Sequence, residues 1–556
     1  MRNIDESAQV MFGEAMRSKQ STTCSRWAEN RRIMGAPLPG PYGFRLHPWC
    51  REIQNSTSAM TVAMKAAQLG VTECGVNRAL YTLDVLKRDV LYVLPTTLSS
   101  GDFSKARFDG ALSLSPYLKA MFTDNNAVAL KRTAVNSLYI RGSKGESNLL
   151  SVPVSCLILD EVDRMSQKAI WLALERLSGQ IEKHVLAIST PTVPNFGISK
   201  LFQSSSQDHF FFKCPCCCKM TELVWPDCVE IIGDSVSDPR CKESFLKCKE
   251  CGGRLEHAAK PDFLKNGKWI ATAPNADPAE CHGYYVNQLY SSTVSPGELV
   301  IAYHRGMGDE AAQVEFSNSK LGLPHVGTGA QVTDAMIDGC LKNYTTTDNR
   351  PTDSKRCITI GVDQGKWNYV SVVEWFLDQY SNDVHEASLA KLLHFEKFLD
   401  EDFKRLDELM REWQARYCVI DMDPAVMEAR RFARRYHGYV SLCRYRRGQT
   451  AKEIAESEQD TGSPVDTVDR TSWLSCALSR FKCVPPRIEL PRDLNSEYRE
   501  HLKAFVRTYE KDDSGNPTAT FISTGPDHYA HSLVYASIGL THVAAMTSGQ
   551  SIKSFM

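Results

Sequence analysis

Two acidic residues at the end of an apolar run are the first candidates for catalysis in this sequence. Residues 154–159 are mostly apolar, and Asp160 and Glu161 follow them directly. A strand that ends in this way can present its first acid to hydrated Mg²⁺ and its second acid to a water molecule that attacks a phosphate. The pair therefore indicates nucleotide hydrolysis, although an apolar run that ends in Asp-Glu also arises by chance.

A segment that could bind phosphate lies upstream of these acids. Phosphate-binding loops combine glycine, free backbone N–H groups, a lysine and a hydroxyl group for Mg²⁺. No stretch has the usual G-x-x-x-x-G-K-[ST] spacing, but residues 65–72 read K-A-A-Q-L-G-V-T. Gly70 and Thr72 fall at the usual positions, whereas Lys65 stands at the start of the loop and could reach the phosphates from the other side. Taken alone, the segment is more simply explained as the start of an ordinary helix.

Two further features bear on the same reaction. Residues 189–191 read Ser-Thr-Pro after another apolar run, where a γ-phosphate sensor would stand; a simple turn explains them equally well. Charge that builds up on a γ-phosphate also favours an arginine nearby. Candidates are Arg132, Arg141 and Arg176, each of which is more simply a surface or structural arginine.

Two pairs of closely spaced cysteines predict a zinc ribbon. The pairs, separated by 30 residues, are Cys214, Cys217, Cys248 and Cys251. Two such turns can place four thiolates around a tetrahedral Zn²⁺ at about 2.3 Å. Cys216 and Cys218 leave the first turn ambiguous, and the C-x-x-C spacing decides for the pair given. Four thiolates leave no open position for a substrate, so the predicted role is structural, with a contact to DNA or a partner left open.

Three acids in the C-terminal half predict a second, metal-dependent site. They are Asp363, Asp421 and Asp527, which stand at the ends of two apolar strands and at the start of the last helix. Hydrolysis of a phosphodiester by two metals needs several carboxylates that converge on ions about 3.5–4 Å apart. Asp423 competes with Asp421 for the same place. His528 and His531 flank the third acid and could assist the metal or simply be helix residues.

A basic stretch follows the second of these acids. Residues 429–449 contain seven arginines, interleaved with Phe432, Tyr436, Tyr439 and Tyr445. Arginine contacts phosphates without reading sequence, and aromatic rings stack on frayed bases, so the stretch favours contact with DNA over a merely solvated helix face. Net charge over the 556 residues is -1, so any attraction to a polyanion must come from such local clusters.

The elements that position these residues suggest a doubly wound α/β architecture. Residues 57–90 have a helix-forming composition, and short buried strands are predicted at 90–95, 154–163 and 184–191. A new α/β pattern begins at residue 357 and ends in a helix near 527–545. With 42% hydrophobic and 24% charged residues, the chain is neither fibrous nor disordered. No apolar run is long enough to span a membrane and no export signal is visible, so a cytoplasmic protein with reduced thiols is expected.

The motifs resemble, in their order and spacing, the large terminase subunit of tailed bacteriophages, in particular the branch similar to lambda gpA. That branch reads KxxQxGxT for the loop, LxLDEVD for the acids and STP for the coupling motif. Residues 47–53, 93–96 and 316–325 share the resemblance, which spans nearly the whole chain.

The resemblance implies particular roles for these residues. Lys65, Gln68, Gly70 and Thr72 would bind the phosphates of ATP and Mg²⁺. Asp160 would bind Mg²⁺, and Glu161 would be the catalytic base. Asp363, Asp421 and Asp527 would form the nuclease triad, with Mg²⁺ or Mn²⁺ as the metal. It also implies double-stranded DNA, a portal protein and a small terminase subunit as partners, and a ring of subunits in the host cytoplasm.

The predicted organisation is a P-loop-type ATPase with an inserted zinc ribbon, followed by an RNase H-like nuclease. Its segments are a lead-in (1–44), the ATPase domain (45–212), the zinc ribbon (213–256), a connector that completes the ATPase region (257–345), the nuclease (346–545) and a tail (546–556). The expected function is packaging of DNA into a procapsid and cutting of concatemeric DNA. A helicase or translocase without nuclease activity, and a zinc-containing DNA-binding recombinase, are the alternatives.

Overall fold

The chain forms two compact units, which meet at the bond between His325 and Val326. The structure is a computed structural model. It describes residues 22–122, 125–144, 149, 152–273, 276–327, 329–348, 356–377, 384–399, 403–446, 464–511 and 517–548. Residues 1–21 of the predicted lead-in and 549–556 of the predicted tail therefore lie outside the described residues.

The first unit is a mixed α/β structure. Its strands are β1 (Ile33–Met34), β2 (Gly40–Pro41), β3 (Met60–Lys65), β4 (Val90–Leu94), β5 (Asn125–Ala127), β6 (Leu130–Arg132), β7 (Ser137–Gly142), β8 (Cys156–Asp160), β9 (His184–Ser189), β10 (Asp208–Lys213), β11 (Met220–Thr221), β12 (Val229–Glu230), β13 (Phe245–Lys247), β14 (Arg254–Leu255), β15 (Lys268–Ala271) and β16 (Cys281–Val286). Its helices are Cys24–Arg31, Cys50–Asn55, Val71–Tyr81, Thr97–Phe103, Gly110–Leu114, Pro116–Met121, Gln167–Leu174, Gly197–Gln203, Lys260–Leu264, Pro296–Gly308 and Glu310–Glu315.

The large sheet of this unit has the order β11-β10-β16-β3-β9-β8-β4-β7-β6-β5, and its strands from β10 to β7 run parallel. Parallel strands end at the same edge, so the residues that follow β3, β8 and β9 come together there. The strands β4 and β8 are buried throughout, as expected for a sheet covered on both faces.

One secondary-structure prediction is wrong. Residues 60–65 form β3, although the sequence predicted helix throughout 57–90; the helix begins only at Val71. β3 is buried along nearly its whole length between β16 and β9, so it shows none of the alternation that identifies a half-buried strand.

The cysteine-rich segment is an excursion from the large sheet. β10 and β15 pair antiparallel, from Asp208↔Ala271 to Phe211↔Lys268. Apart from β11, which also pairs with β10, the strands between them lie outside the large sheet. Within the excursion, β12, β13 and β14 form a small sheet of their own.

The second unit is also mixed α/β. Its strands are β17 (Leu341–Lys342), β18 (Ile358–Asp363), β19 (Asn368–Phe376), β20 (Leu389–Phe398), β21 (Tyr417–Asp421), β22 (Val440–Tyr445), β23 (Val465–Val468), β24 (Ile488–Pro491), β25 (Phe505–Lys511) and β26 (Pro517–Ser523). Its helices are Asp334–Cys340, Val384–Ala387, Lys404–Glu412, Val426–Arg435, Arg470–Ser479, Ser496–Lys503 and His528–Ser548. The mixed α/β class predicted from the sequence is confirmed in both units.

The sheet of the second unit has the order β17-β24-β20-β19-β18-β21-β22-β23. β18 pairs antiparallel with β19 and parallel with β21. Because β17 pairs with β24, the segment after residue 325 belongs to this unit, 20 residues earlier than the boundary expected from the sequence.

The helix His528–Ser548 lies directly on β18 at Gly361. A Cβ atom at position 361 would stand 1.9 Å from the carbonyl oxygen of Ser532 and 2.3 Å from the backbone nitrogen of Ala536. The sequence needs glycine here because only a strand without a side chain lets this helix approach so closely.

We predict that Gly361→Ala destabilises the protein by about 3 kcal/mol or more, the upper end of what overpacking a core costs, because backbone atoms cannot yield as a side chain does. Gly365→Ala is the matched control, since its Cβ would meet nothing closer than 3.6 Å. Denaturant unfolding followed by circular dichroism compares the two, and equal midpoints would contradict the prediction.

Candidate functional site

The loop between β3 and the helix Val71–Tyr81 has the backbone of an anion site. Gln68 and Gly70 have positive φ, 60° and 75°. Gly70 lies against the ring of His47, which a Cβ atom would approach to 3.1 Å, so a larger residue is disfavoured by both conformation and space. The loop then feeds directly into the helix, whose first N–H groups point back at it.

The N–H groups of this loop fall into two sets. Those of Ala66 and Ala67 donate to the carbonyl oxygens of Val286 and Ser319, at 2.9 and 2.8 Å. Those of residues 68–72 have no hydrogen-bond acceptor within the described ranges. A row of free N–H groups at a helix N-terminus binds anions, phosphates above all.

Lys65 connects three parts of this site. Its Nζ atom lies 3.3 Å from Oε1 of Glu161 and 3.2 Å from Oγ1 of Thr190, and the side chain is buried. The structure thus brings together residues of the loop, the acidic pair and the Ser-Thr-Pro turn, which the sequence analysis identified separately.

Asp160 is buried beside Lys65. The hydroxyl of Tyr92 donates to Oδ2 of Asp160 at 2.7 Å, whereas Oδ1 has no partner among the described residues. Burial, and then the charge of Glu161, raise the pKa of Asp160 to about 6. A buried carboxylate with a free oxygen, next to a phosphate loop, fits a hydrated Mg²⁺ ion.

Glu161 has a left-handed backbone, with φ 67° and ψ 52°. Its N–H group donates to the carbonyl of Ile188 at 2.8 Å, which ties the turn after β8 to strand β9. Its side chain is about one-third exposed, so solvent reaches the carboxylate. Left-handed non-glycine residues are uncommon and cluster at functional sites.

The structure shows no hydrogen bond from the three arginine candidates to Asp160 or Glu161, which are all described residues. Nη1 of Arg141 donates to the carbonyl of Ile140 at 3.1 Å, Nε of Arg176 donates to that of Leu172 at 3.3 Å, and Arg132 is exposed on β6. Arg107, which the sequence analysis missed, acts electrostatically on Asp160. Its Nη1 atom lies 3.2 Å from Oε1 of Glu73, in the first turn after the loop.

The four predicted cysteines form one cluster. The Sγ atoms of Cys214, Cys217, Cys248 and Cys251 all lie within 4.8 Å of one another. Both turns have the same form: Cys218 N–H donates to the carbonyl of Cys214 at 2.9 Å, and Gly252 N–H to that of Cys248 at 2.8 Å. Both donors have positive φ, 61° and 68°.

Neighbouring thiols lie outside the cluster. Cys216 is exposed and its thiol lies 3.6 Å from the carbonyl of Arg254. The thiols of Cys228 and Cys241 each donate to a backbone carbonyl at 3.3 Å. Four soft ligands in this arrangement fit Zn²⁺.

The second unit places the C-terminal acids at adjacent strand ends. Asp363 ends β18 and Asp421 ends its parallel neighbour β21. Burial, and then the charge of Asp363, raise the pKa of Asp421 to about 7. Asp423 is exposed, and its N–H group donates to Oδ1 of Asp421 at 3.3 Å.

Histidines stand beside two of these carboxylates. Nδ1 of His528 lies 2.8 Å from Oδ2 of Asp363, and Nε2 of His531 lies 3.7 Å from Oδ2 of Asp527. The hydrogen bond to Asp363 raises the pKa of His528. Oxygen atoms of Asp363, Asp421 and Asp527 do not all come within 4.8 Å of one another. Like charges at such distances repel unless a cation lies between them.

The arginine-rich stretch forms the helix Val426–Arg435 and the strand β22. Arg431 and Arg434 are exposed, whereas Phe432 is fully buried and Tyr436 half-buried. Tyr439 is the aromatic residue of this stretch most open to solvent in the described part. The basic face is therefore present, but of the four interleaved rings only Phe432 is buried in the core and only Tyr439 is exposed.

Family models match both units. The model of the phage terminase large subunit gpA ATPase domain matches residues 36–269, and that of the terminase large subunit gpA endonuclease domain matches residues 281–528. The chain belongs to the gpA-type family of phage terminase large subunits. A gpA-type chain with these two domains is an ATP hydrolase and an endonuclease of phage DNA packaging.

Solved large terminases are similar to this gpA-type chain at low identity. That of bacteriophage HK97 is 10% identical, covering 92% of this chain and 98% of its own, with a TM-score of 0.46. The ATPase domain from Thermus phage P74-26 is 13% identical, covering 51% and 94%, with a TM-score of 0.30. The nuclease of phage G20c with bound magnesium is 17% identical, covering 37% and 96%, with a TM-score of 0.20.

A comparison with curated proteins gives no match. Across the described ranges of this gpA-type chain, no helix is both long and apolar enough to cross a bilayer.

We predict that Asp160→Asn raises the free energy of unfolding at pH 7.5, without nucleotide or Mg²⁺, by up to about 3 kcal/mol. Burial raises the pKa of Asp160 to about 6, so the wild type is penalised for its charge above that pH and relieved of it as the pH falls. The gain should vanish near pH 4. Denaturant unfolding at both pH values tests this, with the exposed Asp102→Asn as control. A gain that is the same at both values would contradict it.

Proposed function

We propose that this chain is the packaging motor and the DNA-cutting enzyme of a tailed phage. It uses ATP hydrolysis to translocate double-stranded DNA into a procapsid, and it cuts concatemeric DNA with a metal-dependent nuclease. The observation that carries the proposal is the contact of Lys65 with Glu161 and Thr190, beside the N–H groups of residues 68–72, which have no acceptor among the described residues.

In the first unit, we assign a P-loop-type ATPase. Lys65, Gln68, Gly70 and Thr72 would hold the phosphates and Mg²⁺ of the bound ATP, with Asp160 as the acid that orients the hydrated ion. Glu161 would accept a proton from the attacking water, since it is solvent-accessible and fixed at its backbone. The strand order β16-β3-β9-β8-β4 supports this assignment, because it places β9 and its Thr190 turn between the lysine and the acids.

In the second unit, we assign an RNase H-like nuclease with Asp363, Asp421 and Asp527 as ligands of Mg²⁺ or Mn²⁺. The metals, when bound, activate water and stabilise the leaving oxygen. The antiparallel β18–β19 pair, flanked by β20 and parallel β21, supports the assignment. Asp421 is preferred to Asp423, because Asp421 is half-buried and its carboxylate is affected by the charge of Asp363, whereas Asp423 is exposed.

The cysteine cluster would hold a structural Zn²⁺, making this excursion a zinc ribbon. The exposed arginines of Val426–Arg435 would contact the phosphates of DNA. As partners we propose, from the family, a portal protein, a small terminase subunit and further copies of this chain in a ring, acting in the host cytoplasm.

Two variants test the two activities separately on linear plasmid DNA with ATP and Mg²⁺ or Mn²⁺. Glu161→Gln should lower ATP turnover on the order of 10²-fold or more and leave cutting intact, because it removes the base alone. Asp363→Asn should abolish cutting and leave ATP turnover intact. Asp421→Asn should behave like Asp363→Asn, with the exposed Asp423→Asn as its matched control.

Several outcomes would contradict the assignment. ATP turnover that Glu161→Gln does not change would remove the motor. Cutting that survives Asp363→Asn would remove the nuclease site, and a stronger effect of Asp423→Asn than of Asp421→Asn would exchange their roles.

The zinc assignment predicts one Zn²⁺ per chain in the wild type, from the four clustered thiols. Cys217→Ser should lose the metal and lower the thermal unfolding temperature, because three thiolates bind Zn²⁺ far less tightly. Cys216→Ser, one residue away and outside the cluster, should keep both. Metal content by atomic emission decides, and equal zinc in the two variants would contradict the ligand set.

A further inference from the structure

Asp163 is a buried acid that the assignments above leave without a role. It lies two residues after Glu161 and is 7% exposed. Its Oδ2 atom accepts hydrogen bonds from the N–H and Oγ1–H groups of Thr192, at 2.7 and 2.8 Å. Its Oδ1 atom accepts one from the N–H group of Ile198, at 2.7 Å. A single carboxylate thus binds both ends of the segment 192–198.

The surrounding backbone is shaped to admit this carboxylate. Gly197 has φ 49°, and a Cβ atom there would stand 2.3 Å from Oδ1 of Asp163. The N–H group of Asp163 donates to Oγ of Ser189 at 3.2 Å, and that hydroxyl donates to the carbonyl of Thr190 at 3.0 Å. Asp163 therefore holds the segment 189–198, which we term the coupling loop, through its side chain and its backbone.

The coupling loop contacts the nucleotide site through Thr190 and the last residue of the first unit through Thr192. Oγ1 of Thr190 lies 3.2 Å from Nζ of Lys65. The carbonyl of Thr192, the residue that Asp163 binds twice, accepts a hydrogen bond from the N–H group of His325 at 3.0 Å. His325 is the last residue of the first unit.

We propose that Asp163 is a positioning residue for ATP hydrolysis. It fixes the coupling loop so that Thr190 stays against Lys65 while Glu161 carries out chemistry two residues away. This inference rests on the ATPase function proposed above. A residue that merely stabilised the fold would affect ATP affinity, turnover and stability together. A positioning residue affects turnover, because small displacements of reacting groups are costly: about 1 Å can cost on the order of 10²-fold.

Three variants of the full chain test the proposal by ATP turnover, with KM and kcat measured separately. Asp163→Ala, which removes all three side-chain acceptor contacts, should lower kcat by roughly tenfold or more, with KM within about threefold. Asp163→Asn keeps an oxygen for Thr192 but turns an amide toward Ile198 N–H, so its kcat should lie between. Thr192→Val removes only the hydroxyl contact and should have the smallest effect, and it serves if Asp163→Ala does not fold.

Cutting activity and zinc content of each variant report that the chain is folded. Wild-type kcat in Asp163→Ala, or in Asp163→Asn and Thr192→Val together, would overturn the proposal. A loss of turnover that only follows loss of folded protein or of ATP affinity would overturn it as well. Wild type and Glu161→Gln run alongside: if these two do not differ, the ATPase assignment itself fails, whereas a difference there with wild-type behaviour at Asp163 rejects this inference alone.

Discussion

The pairing of the buried Lys65 ammonium with Glu161 and Thr190 is the interaction on which the proposed nucleotide site depends. A charge removed from water needs oxygen partners close by, or its burial costs several kcal/mol. Those partners come from the ends of β8 and β9, so the order β3-β9-β8 satisfies the lysine and assembles the site at once. Lys65 stands at the start of the loop, at the end of β3, and this sheet order is what brings Glu161 and Thr190 within reach of it there.

Both units use the ends of parallel strands, but they balance charge differently. In the first unit the positive charge of Lys65 balances the negative charge of Glu161, and the hydroxyl of Tyr92 donates a hydrogen bond to the buried Asp160. In the second unit the charge of Asp363 acts on Asp421, and histidines stand beside two of the carboxylates, His528 at Asp363 and His531 at Asp527. A site that gathers carboxylates around a histidine is suited to exchange these partners for divalent cations.

Local chemistry was predictable from the sequence where the signal lies within a few residues. Apolar runs that end in acids located β8, β18 and β21, and paired cysteines located a cluster whose members are far apart in the chain. β3 was missed because a strand buried on both faces carries no alternation, and its residues suit a helix as well.

Residues whose meaning depends on distant partners were not predictable. Arg107 is held by an ion pair with Glu73, and Asp163 accepts hydrogen bonds from Thr192 and Ile198. No sequence motif identifies these pairs. In the arginine-rich stretch, composition alone predicted that the aromatic residues form part of a DNA-binding surface. The helix instead turns Phe432 inward, where it packs on Phe403 at 5.8 Å between ring centres.

The place at which the cysteine excursion leaves the sheet determines which side of the first unit a binding partner would contact. β10 runs parallel to β16 and β3, so the chain leaves the sheet from the edge at which the phosphate loop stands. The chain returns to the sheet through β15, which pairs antiparallel with β10, so the excursion begins and ends at neighbouring strands. An insertion of this kind can change in length or shape without shifting the register between the strands of the large sheet. A partner that bound this excursion would therefore contact the first unit on the side of the proposed phosphate loop.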